Sequence, residues 1–147
     1  LTHGIDLDHW RSPNGAAETA KGYDSTKLPV WTAHLPRPIY LFWGLLDKRL
    51  DVDWCSTLVR TQPGTLVLLG PRQEVDGRLD QLARDTAGAA TPGAAGATGR
   101  CIMPGPVDYR DLPLLAAWAD VLVMPYADLP VTAAMKPLGR SRTRSPG

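Results

Sequence analysis

The sequence predicts an α/β fold, a parallel sheet with helices on both of its faces. Three features carry that prediction. Short continuous apolar runs alternate with stretches of helical periodicity, glycine or proline closes each run, and the alternation holds from residue 39 to residue 124. A continuous apolar run marks a strand buried on both faces, and strands that alternate with helices join in parallel through right-handed crossovers.

Taken in order, residues 1–36 are turn-rich and weakly periodic, broken by Gly4, Pro13, Asn14-Gly15 and Pro29, and read as a connector. The first strand is Ile39-Tyr40-Leu41-Phe42-Trp43, ended by Gly44. Val52, Cys55, Leu58 and Val59 then recur at helical spacing until Gln62-Pro63-Gly64 stops them. The second strand is Thr65-Leu66-Val67-Leu68-Leu69, closed by Gly70-Pro71, and Val75, Leu79, Leu82 and Ala83 share one helical face after it. From Ala87 to Gly99 only Ala, Gly, Thr and Pro occur, too little apolar surface to offset the ordering entropy, so a mobile loop is expected. The third strand is Cys101-Ile102-Met103, stopped by Pro104-Gly105-Pro106. Leu112, Leu115, Ala116 and Ala119 define the next helix, with Asp108 as its cap and Asp111 in its first turn. Val121-Leu122-Val123-Met124 is the fourth strand, ended by Pro125-Tyr126.

The bulk numbers narrow the function. With 147 residues, 44% hydrophobic and 21% charged, the chain suits one soluble domain with a core and is too short for two full ones. A net charge of +1 leaves no broad basic field for nucleic acid or an anionic membrane, so a small-molecule partner is expected. Cys55 and Cys101 sit in apolar segments as small hydrophobes and predict no disulfide framework. The first residues lack the pattern of a signal peptide and no stretch reaches the roughly 20 apolar residues of a membrane helix, so no integral membrane segment and a cytoplasmic location are expected. His3, His9 and His34 lie in the connector without metal-ligand spacing and read as solvated or capping residues, so neither a metal nor a cofactor is predicted.

Ligands of open α/β sheets bind at the carboxyl ends of the strands, where helix N-termini and loop amides converge. Those ends are Gly44 to Arg49, Gly70-Pro71-Arg72, Pro104-Gly105-Pro106 with Tyr109, and Pro125-Tyr126. Glycine there admits close approach of a ligand to the backbone, although Gly and Pro also simply end strands. Neither a phosphate loop of the Gly-x-x-x-x-Gly-Lys-Ser/Thr type nor a Gly-x-Gly-x-x-Gly turn follows the first strand, which disfavours phosphate-loop NTPases and ordinary dinucleotide enzymes. Asp47, Lys48, Arg49 and Asp51 form either a diphosphate contact or a solvated charged loop.

The order of these segments resembles a family. Thr2-His3-Gly4-Ile5-Asp6 followed by Trp10 is similar to the Asn-Gly-Val-Asp-x-x-x-Phe segment joining the two halves of family 4-like GT-B glycosyltransferases. Phe42-Trp43-Gly44 and Leu68-Leu69-Gly70-Pro71 resemble the first two strand ends of their C-terminal domain. Pro104-Gly105-Pro106-Val107-x-Tyr109-x-x-Leu112-Pro113 and Ala119-Asp120-Val121-x-Val123-x-Pro125-Tyr126 resemble its most recognisable stretch. The resemblance runs from Thr2 to Leu138 and implies a Rossmann-like sheet, residues 37–138 forming part of a GT-B donor domain. It implies a glycosyltransferase that binds a nucleotide-sugar donor through Gly44, Arg49, Gly70, Pro71, Gly105, Tyr109, Tyr126 and Lys136, with Gly44 near the diphosphate and Pro71, Gly105 and Tyr109 near the base. The acceptor and the catalytic residues stay open.

Beyond Leu138 the family pattern of Lys-x-x-Glu-Tyr-Leu-Ala gives way to Gly139-Arg140-Ser141-Arg142-Thr143-Arg144-Ser145-Pro146-Gly147, as an out-of-frame tail of a GC-rich gene would. Residues 139–147 are expected to be a disordered basic tail, three arginines being a thin footprint for nucleic acid. The missing motif and the missing acceptor half imply that the isolated chain is inactive, and a strand order of 3-2-1-4 makes the fourth strand an apolar edge prone to aggregation. Two other readings remain. One is a non-catalytic nucleotide- or sugar-phosphate-binding module, or an inactive remnant. The other is a receiver-like domain, which needs an aspartate where Pro104-Gly105-Pro106 stands.

Overall fold

A computed structural model describes residues 7–10, 23–87 and 98–130. Its strands are β1 (Ile39–Trp43), β2 (Gly64–Leu69), β3 (Gly99–Gly105) and β4 (Val121–Leu122), and its helices are α1 (Leu7–Trp10), α2 (Val52–Thr61), α3 (Gly77–Thr86) and α4 (Leu112–Trp118). The four strands form one sheet in the order β3-β2-β1-β4, every pairing parallel. This is the parallel α/β sheet that the alternating pattern predicts, and it is Rossmann-like.

Alternation along each strand divides the core in two. Phe42, Leu66, Leu68 and Cys101 point to one face and meet Val52, Cys55 and Val59 of α2 and Leu79 and Leu82 of α3. Ile39, Leu41, Val67 and Leu69 point to the other and meet Leu115 and Trp118 of α4. Tyr23, Leu28, Trp31 and Leu35 extend that second cluster, so the described part of residues 1–36 is packed on the sheet. Every residue of β2 is buried, because it lies between β1 and β3 and under helices on both sides. Burying a leucine such as Leu66 or Leu68 contributes roughly 1.5–3 kcal/mol.

Carboxylates begin the helices. Asp51 Oδ1 accepts from Trp54 N at 2.9 Å and starts α2, and Asp76 Oδ1 accepts from Arg78 N at 2.9 Å and starts α3. The periodic pattern counted Val75 as helical, but it precedes the Asp76 cap and packs on the core from the loop. Asp108 caps a 3-10 turn, Tyr109–Asp111, that leads into α4.

Two strand predictions are corrected. β3 does not stop at Met103 but runs through Pro104 to Gly105; it is an edge strand, and an edge tolerates a residue that lacks an N–H. β4 is shorter than Val121–Met124: the strand is Val121–Leu122, Val123 N adds one bond to Leu41 O of β1 at 2.9 Å, and Met124 is 70% exposed. The chain beyond it turns away to pair with the loop after β1. Asp120 pins β4 to β1, its Oδ2 accepting from Ile39 N at 2.7 Å and from Arg37 at 2.6 Å. Among the described residues no helix is long and apolar enough to cross a membrane. The predicted mobile loop falls largely on residues 88–97 and the predicted disordered tail on 139–147, both outside the described residues.

Candidate functional site

Because all four strands run the same way, their carboxyl ends share one edge of the sheet. Three glycines meet there. Gly44 N donates to Leu69 O at 2.9 Å, and Gly70 N donates to Gly105 O at 3.1 Å. A side chain on Gly70 would overlap the Gly44 carbonyl oxygen, and Gly70 has φ +143°. The structure thus brings Gly44, Gly70 and Gly105 into one backbone rim with no side chain on any of the three.

The strand order reverses at β1: β2 and β3 lie to one side and β4 to the other, which makes the β1/β4 boundary the switch point of the sheet. That boundary is laced. Asp51 N donates to Pro125 O and Ala127 N to Arg49 O, both at 2.8 Å, and Leu50 bridges Tyr126 in antiparallel fashion. The Tyr126 ring stands edge-on to Phe42 at 5.7 Å, and the Arg49 guanidinium lies 5.6 Å from its centroid.

Charge around the rim is largely spent internally. Arg49 pairs with Asp47 at 2.8 Å; that hydrogen-bonded pair holds the Asp47 carboxyl below its usual range and raises the Arg49 guanidinium. Beside the rim, on the α2/α3 face, a cleft of about 430 Å³ is lined by Asp51, Asp53, Glu74 and Asp76 against Lys48 and Arg78. Arg78 is already held by Asp53 at 2.9 Å and Asp76 at 3.0 Å. The cleft therefore presents more negative than positive charge. The N-termini of α2 and α3 meet their own capping carboxylates, which compete with any external anion.

Pro71 is exposed and its carbonyl accepts from Leu46 N at 2.9 Å. Tyr109, 57% exposed, stacks flat on His9 with centroids 4.1 Å apart. His9 meets Trp10 edge-on at 5.4 Å, and Trp10 stacks on Trp43 at 5.7 Å. His9 is therefore part of a file of rings, which corrects its reading as a solvated or capping residue; His34 is exposed as expected. No periodicity could have flagged His9, because its partner Tyr109 is a hundred positions away in the chain. Lys136 lies outside the described residues.

The buried thiols take no part in chemistry at this edge. Burial pushes Cys55 and Cys101 each up to about 12, which keeps them protonated and unreactive near neutrality. Among the described residues no group of three or more His, Cys, Asp or Glu could hold a metal ion. No family model matches the chain, and comparison with curated proteins and with solved structures gave no match.

Proposed function

We propose that the chain forms the donor side of a glycosyltransferase, holding a nucleotide-sugar along its C-terminal rim for transfer to an acceptor hydroxyl. The observation that carries this reading is the meeting of Gly44, Gly70 and Gly105 at the strand ends, where open space beside Gly105 would let a diphosphate approach the main chain. The likeness of motif order to family 4-like GT-B enzymes supports it. In the transfer step the acceptor oxygen bonds to the anomeric carbon as the bond to the diphosphate oxygen breaks, so the site must stabilise negative charge growing on the nucleoside diphosphate. Lys136 is assigned that task, since Arg49 is already committed to Asp47 and the Gly44 and Gly70 amides to Leu69 O and Gly105 O. A cytoplasmic location belongs to the same proposal.

Calorimetric titration of the chain with UDP, GDP and ADP and their sugars tests the reading. Gly105→Ala places a Cβ on the rim where nothing lies within 4 Å, and because alanine is strained at φ +95° its melting curve is recorded beside its titration. It is expected to weaken binding by about tenfold, equivalent to about 1.4 kcal/mol. Absence of heat with every member of the panel, from a chain shown to be folded, would remove the proposal. The acid-lined cleft and the neutralised Arg49 favour a second reading, a non-catalytic binding module or inactive remnant. Binding without turnover when an acceptor half is supplied would select it.

A further inference from the structure

We draw no further inference here: the strongest candidate, the acid-lined cleft at the N-termini of α2 and α3, is a cluster of carboxylates that cap those helices or pair with Arg78, and nothing among the described residues shows what occupies it.

Discussion

Replacing Gly70 with alanine would drive a methyl group into the Gly44 carbonyl oxygen, main chain against main chain, where no rotamer can yield. The expected loss is roughly 1–3 kcal/mol, the range for strain at a special backbone position, and a urea melt measures it. Cys55 and Cys101 offer a second check at this scale. Each is buried and its thiol is held up at about 12, so neither should react with a disulfide reagent at pH 8 until the chain unfolds. Since both values lie above that of an unfolded thiol, their contribution to stability is fully present below the unfolded value and is lost as pH rises toward about 12. A pH titration of the melting temperature should show this extra decline. Asp108 behaves oppositely: Arg110 holds its carboxyl down to about 2. Asp108 is exposed, so solvent screens the pair. The sequence marked Gly70 as a strand stop, and only the structure shows the carbonyl that forbids anything larger.

At the scale of elements, the outer edge of β3 shows how a helix can finish a sheet. Cys101 N is met by the Thr86 hydroxyl of α3 at 3.0 Å, and that hydroxyl donates in turn to Leu82 O at 2.8 Å. Thr86→Val keeps the shape and removes both bonds, leaving the buried Cys101 N–H without this acceptor. It should cost about 1–3 kcal/mol by thermal or denaturant unfolding. Helical periodicity had placed Leu79 and Leu82 on the buried face of α3, while Thr86, a polar residue, gave no sign that it is 1% exposed. The misjudged strand ends have the same origin. Pro104 ends a central strand but not an edge strand, and Val123-Met124 reads as strand although the chain there turns to lace Pro125 and Ala127 to the loop after β1.

For the whole molecule, the two edges of the sheet are unequal. β3 carries Arg100 and Pro104 and is tied to α3, whereas β4 is short and exposes Val121 at 43% and Leu122 at 54%, with Met124 just beyond it at 70%. Exposed apolar edges of this sort promote association between copies. Leu122→Lys should therefore leave the melting temperature nearly unchanged and reduce concentration-dependent light scattering; scattering equal to that of wild type would show that β4 is not the sticky surface. The candidate site also belongs to this scale, since its glycines come from three strand ends and become one rim only when β1, β2 and β3 align.

The amino-acid sequence alone determined that there is a parallel sheet, which residues build its interior strands, and that both faces are covered, because continuous apolar runs and helical periodicity are local consequences of burial. It also singled out Gly44, Gly70 and Gly105 as strand ends. Tertiary structure decided what those positions do: which carbonyl crowds Gly70, that Arg49 is spent on Asp47, that carboxylates line the adjoining cleft, and that His9 lies on Tyr109. Contacts between residues far apart in the chain, and the electrostatics they produce, leave no periodic trace in the order of amino acids.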